Sequence, residues 1–145
     1  MNIITITGGT KSQRDKTESM IQFCIEMLMP RMRTLDINVK IKAISENAMG
    51  NCLSDTTRIF DLEIDSTLRL RRLLETVAHE MVHVKQYARK ELDHSTKWQG
   101  KTVNPTKVSY WDLPWEIEAN GREIGLFVRW AQASGYRNAA WANNV

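Results

Sequence analysis

The residues best equipped for chemistry sit together at His79-Glu80-Met81-Val82-His83. On a helix, residues four apart stand one above the other on nearly the same face. Both imidazoles can then reach one metal ion, and Glu80 can reach a water bound to it. That is what a zinc hydrolase needs: neutral nitrogen ligands, a carboxylate base and a coordination position left open. Zinc lowers the pKa of its water to about 7, so Glu80 acting as general base on a zinc-bound water could take its proton and pass it to a leaving amine. The pair uses two of only three histidines in the chain. Its neighbours Val77, Met81 and Val84 are apolar, so the helix is expected to be buried and its histidine face needs a polar reason.

Two histidines and a water leave zinc one ligand short. The extension HExxHxxGxxH is excluded, because Gln86 and Arg89 occupy the glycine and histidine positions. A downstream glutamate, His94 and Cys52 remain. Turning a helix that starts at Pro114 by about 100° per residue puts Glu116 in an apolar arc. That arc holds Ile117, Ala119, Ile124, Leu126, Phe127, Val128, Trp130 and Ala131. Glu118, Arg122, Gly125, Arg129 and Gln132 fall on the other side, and Glu118 and Arg122 have the spacing of a solvated ion pair. A carboxylate among apolar residues needs a cation or several hydrogen-bond donors; zinc would be such a cation, which favours Glu116 as the third ligand. Asn120, one turn on, could bond a histidine's second nitrogen or orient Glu116, and Glu123 is an alternative in the outer shell. His94 lies in the polar segment DHSTK and reads as a surface residue with a claim to the third-ligand role. For the oxyanion the candidate is Tyr110, with Tyr87 and His94 behind it.

These groups must be positioned by the elements around them. Asn2 to Thr7 is β-branched and predicts a strand closed by Gly8-Gly9. Ser12 followed by Asp15 resembles a helix start, and Met20, Ile21, Cys24, Ile25 and Leu28 recur at helical spacing before Pro30. Ile37, Val39 and Ile41 alternate with polar residues as in a half-buried strand, and so do Phe60, Leu62 and Ile64 within Arg58 to Asp65. Asn47 to Thr57 is polar and predicts a loop. Thr67 to Leu92 predicts one long helix with an apolar stripe from Leu70 to Ala88. A turn or hairpin is expected around Asn104-Pro105. Pro114 can open a last helix running to about Ser134 and stopping at Gly135. Residues 137–145 read as frayed, with Trp141 able to dock. The order is α+β in a single domain spanning 1–145.

At 42% apolar and 26% charged residues, the chain has the composition of a globular domain rather than a disordered one. No apolar run approaches the roughly 20 residues of a membrane span, and the opening lacks the basic start of a secretory signal. Two distant cysteines, Cys24 and Cys52, suit a reducing, cytoplasmic setting, with Cys24 in the core. The net charge of +3 is too mild for a nucleic-acid footprint by itself. Arg69, Arg71 and Arg72 with Lys85, Arg89 and Lys90 could contact phosphates, but read as a solvated helix face.

HEMVH on a long helix, Trp98-Gln99-Gly100-Lys101 and the run Tyr110 to Ala119 together resemble the small gluzincin-type metallopeptidases. That group includes SprT-like proteins in the broad sense and is common in bacteriophage genomes. The likeness runs from about Cys52 to Val128. Its Glu-x-x-Ala pattern, Glu116-Ile117-Glu118-Ala119, implies Glu116 as the third zinc ligand. It also implies a zincin-like fold: a small mixed sheet over the HExxH helix, a C-terminal helix carrying the third ligand, and an edge strand holding the substrate extended. SprT-like proteins proper use a third histidine, which would favour His94. Gly50 to Ser54 also resembles the cysteine-bearing loop of peptide deformylases, but their glycine-rich motif near the N-terminus is missing. The sequence thus points to a Zn2+-dependent peptidase acting on a peptide or protein, in the host cytoplasm if phage-encoded, with Arg58 to Asp65 as the edge strand. The alternative is a zinc-containing protein- or DNA-binding module without turnover.

Overall fold

The computed structural model describes residues 1–45, 47–54 and 56–143. Alternating burial along the sequence builds a sheet with one covered face. β1 (Ile3–Gly8), β2 (Asp36–Lys42), β3 (Gly50–Ser54) and β4 (Ile59–Asp65) lie in the order β1-β2-β4-β3. The first three in space run parallel, and β3 is antiparallel to β4. Ile37, Val39, Ile41, Phe60, Leu62 and Ile64 are all buried on the covered face, each stabilising the fold by about 1.5–3 kcal/mol. α1 (Lys11–Leu28) and α2 (Leu70–Ala88) pack on that face, and α3 (Pro114–Ala133) packs on α2. The architecture is therefore α+β, with a mixed sheet over the HExxH helix and a C-terminal helix on its far side.

α2 is enclosed on both sides, so even Glu75, Glu80, Lys85 and Gln86 are buried. It ends at Ala88, short of the expected Leu92. Lys90 takes a left-handed φ of 60°, and Lys90 N–H and Glu91 N–H donate to the carbonyls of Tyr87 and Gln86. This Schellman turn folds the chain back and sets the Glu91 carboxylate 2.9 Å from Lys85 Nζ. The same motif closes α3, with Gly135 at φ 81° and Tyr136 N–H donating to Ala131 O.

Several expectations are corrected. The start of α1 is capped by Thr10, in a reciprocal box with Gln13, and not by Ser12. The expected loop over Asn47 to Thr57 contains strand β3, with Asp55 outside the described residues; there β4 offers its main-chain groups to a segment without hydrophobic alternation. β4 is consequently an interior strand, and the edge beside α2 is β3. The hairpin turns at Gln99-Gly100, both at positive φ, between β5 (Lys97–Trp98) and β6 (Lys101–Thr102). Asn104-Pro105 does form the expected turn, with Lys107 N–H donating to Asn104 O and Asn104 Oδ1 accepting from Thr106. Ile117, Ile124 and Val128 are exposed, because α2 covers a narrower face of α3 than the apolar arc spans. Trp141 docks against Phe127, Trp130 and Tyr136; Asn144 and Val145, at the end read as frayed, lie outside the described residues. No helix among the described residues is long and apolar enough to cross a membrane.

Candidate metal centre

His79 and His83 project from α2 toward the first turn of α3, whose start is set by Pro114 at its first helical position. Glu116 Oε1 lies 3.0 Å from His79 Nε2 and 3.3 Å from His83 Nε2. The three donor atoms lie within 4.8 Å of one another. A tetrahedron with metal–ligand bonds of about 2.0 Å has an edge of about 3.3 Å; the two distances to Glu116 Oε1 match it, and the cluster could close on one ion. The structure thus holds a zincin-like HExxH triad: His79 and His83 with Glu80 between them, and the distal Glu116.

The second ring nitrogens are also committed. His79 Nδ1 is 3.2 Å from Glu123 Oε1, and Glu123 is itself paired with Arg72. His83 Nδ1 is 2.8 Å from Gln86 Oε1. The Gln86 amide donates to Trp115 O at 2.9 Å and to Glu118 Oε1 at 3.0 Å, which leaves its oxygen to accept from His83. Both imidazoles are therefore held with Nε2 turned toward Glu116, where an ion would sit. Glu123 was foreseen in the outer shell; Gln86 was not. Its only sequence signal is a polar residue three positions after His83, on the same helix face.

The pocket demands positive charge. Burial opposes ionisation of His79, but the carboxylates of Glu116 and Glu123 override it and raise its pKa to about 9. His83 is raised as well, against its burial, by Glu116 and Glu80. Glu116 is held well below the usual carboxylate range: burial acts the other way, and the two imidazoles outweigh it. Glu80 is pushed up, chiefly by burial, with the histidines pulling against it. The donor set and its carboxylates fit zinc.

All four residues line a cleft of about 730 Å3 between β3, α2 and the segment leading into α3. Tyr110 reaches it, its hydroxyl donating to Glu116 Oε1 at 3.1 Å. Asn120 donates to that hydroxyl at 3.4 Å, rather than to a histidine or to Glu116. Cys52 faces the cleft on β3, where burial and the nearby Glu80 push its thiol well above the usual range; it is outside the donor cluster. His94 is outside it too, stacked on Tyr87 at 5.2 Å and bonded to Ser54 O at 3.0 Å.

Of the basic residues read as a solvated face, Arg69, Arg89 and Lys90 are exposed as expected, and the others are turned to internal pairs. Arg71 and Arg72 pair with Glu75, and buried Lys85 pairs with Glu91 and Glu118. Glu118 does pair with Arg122, at 3.0 Å. No protein-family model, curated protein or solved structure matches this chain. The geometry alone therefore carries the functional reading.

Proposed function

We propose that this chain is a zinc-dependent peptidase of the gluzincin type, with His79, His83 and Glu116 holding the metal. The convergence of two tautomer-locked imidazoles and a carboxylate at an open cleft, with Glu80 beside them, carries the reading. Held by His79, His83 and Glu116, zinc would supply Lewis acidity, lowering the pKa of a water and polarising a carbonyl. Glu80 takes the proton from the attacking water as its oxygen bonds to the scissile carbonyl carbon. As the C–N bond breaks, Glu80 returns that proton to the departing nitrogen. Tyr110, whose hydroxyl donates to Glu116 beside the donor set, would turn that proton to the developing oxyanion. The peptide adds to the edge of β3 through main-chain hydrogen bonds.

A zinc-containing DNA- or protein-binding module explains the site less well. Arg71, Arg72 and Lys85 are spent on internal pairs, and a structural site needs no general base. Both cysteines are free, Cys24 in the core and Cys52 on β3, which supports a reducing, cytoplasmic setting. The test compares zinc-loaded wild type and Glu80→Gln by elemental analysis and by cleavage of a peptide mixture read by mass spectrometry. Both should carry one zinc per chain, and the variant should lose about 10²–10⁴-fold in turnover. Equal activity, or binding without turnover in the wild type, would refute the peptidase reading.

A further inference from the structure

The register of β3 shows which of its main-chain groups a substrate can use. Asp65 N–H donates to Met49 O at 2.9 Å, and Gly50 faces Ile64. In an antiparallel ladder, bonded and non-bonded pairs alternate. Met49, Asn51 and Leu53 therefore turn their N–H and C=O toward β4, while Gly50, Cys52 and Ser54 turn theirs outward. Gly50 must be glycine for β3 to lie this close to α2, since a Cβ there would meet Thr76 Cγ2 at 2.9 Å. Cys52 and Glu80 both line the cleft, and the Glu80 charge acts on the Cys52 thiol. The outward Ser54 carbonyl is not free, because His94 Nε2 bonds to it.

That end of the cleft is a built wall. His94 stacks on Tyr87, and residues 91–98 are tied down by the Leu92–Trp98 bridge and by Asp93 Oδ1, which accepts from Ser95 and Lys97. Below it, Leu92 and Trp115 form a satellite apolar cluster with Tyr87 packed against it, and all three line the cleft. Among the described residues, none of 91–98 hydrogen-bonds to Asn47 or Met49 at the opposite end, where Met49 instead meets Arg72. Antiparallel addition is the more stable pairing. A peptide so added runs with its amino end toward Ser54 and His94.

Resting on the peptidase reading above, we propose that His94 and the 91–98 segment close the amino-side end of the groove. The substrate is then an extended peptide cut close to its N-terminus, with an apolar side chain seated on Tyr87, Leu92 and Trp115. Outward groups recur every two residues, about 6.8 Å apart, so the ladder stops about two residues beyond the one aligned with Cys52.

The test uses peptides of one core sequence lengthened a residue at a time on either side of the bond cut. Binding to zinc-loaded Glu80→Gln is measured by calorimetry, and cleavage by wild type in parallel. Affinity should drop about tenfold, the loss of one or two net hydrogen bonds, once the amino side outgrows the groove. Carboxyl-side lengthening should cause no drop. His94→Ala, verified to retain one zinc, should remove most of the drop. Binding indifferent to amino-side length, or penalised only on the carboxyl side, overturns the proposal, whether or not peptides are cleaved. Length-limited binding without cleavage upholds the groove and overturns the peptidase reading. Neither binding nor cleavage overturns both.

Discussion

Loading zinc into the metal-free protein should release protons, with an affinity steeply dependent on pH. Imidazole ligates only when neutral, yet Glu116 and Glu123 raise the pKa of His79 to about 9 against its burial. At pH 7 about ninety-nine in a hundred metal-free molecules then carry that proton. Apparent affinity falls about tenfold per pH unit for each proton displaced. From about pH 8 to about pH 6 it should therefore weaken about 100-fold from His79 alone, and further because His83 is raised in the same direction. The sign for stability follows from the same groups. The contribution of His79 is fully present below its ordinary 6.5 and is lost as pH rises through about 9. That of Glu116, whose pKa is lowered, is present above its ordinary 4.5 and is lost as pH falls. From these two groups, the metal-free chain should be most stable between 4.5 and 6.5, with the gain from zinc growing above that window. Competition against a chromophoric chelator at several pH values gives the affinity. Calorimetry in buffers of different ionisation enthalpy counts the protons. A pH-independent affinity with no proton release would refute the electrostatic account of the pocket.

Gln86→Leu should weaken zinc binding about 10–100-fold, since His83 Nδ1 and Trp115 O both lose their partner; the chelator competition reads this directly, and an unchanged affinity would deny Gln86 its positioning role. Phe60→Ala should destabilise the metal-free chain by about 3–5 kcal/mol, because the ring is fully buried between the sheet and its helices; urea unfolding measures it, and a loss under about 1 kcal/mol would contradict the packing.

Much of the site was legible because its signals are local. The four-residue spacing of His79 and His83 needs only a helix to align the rings, and an apolar stripe without glycine or proline supplied one. Glu116 was found at longer range for an energetic reason: a carboxylate inside an apolar arc must meet a cation or several hydrogen-bond donors. Where the sequence misled, the deciding contacts came from elsewhere in the chain. The apolar period of α3 includes Ile117, Ile124 and Val128, yet they stay exposed because α2 covers only one side. Gly50 to Ser54 lacks alternation and becomes a strand through main-chain bonds to β4, which also moved the edge of the sheet away from Arg58 to Asp65. Lys85 and Gln86 look like solvent-facing residues until α3 closes over them with Glu118 and the Trp115 carbonyl. The sequence by itself determined helix and strand periods and the pairing of two ligands on one helix, which depend on neighbours within a turn or two. Only the tertiary structure decided the third donor's position, the tautomer locks and the free edge of the sheet. Those rest on contacts that the fold brings about: Glu116 and Glu123 reach His79 from 37 and 44 positions away, and Gln86, a near neighbour of His83, is oriented by Trp115 and Glu118 of α3.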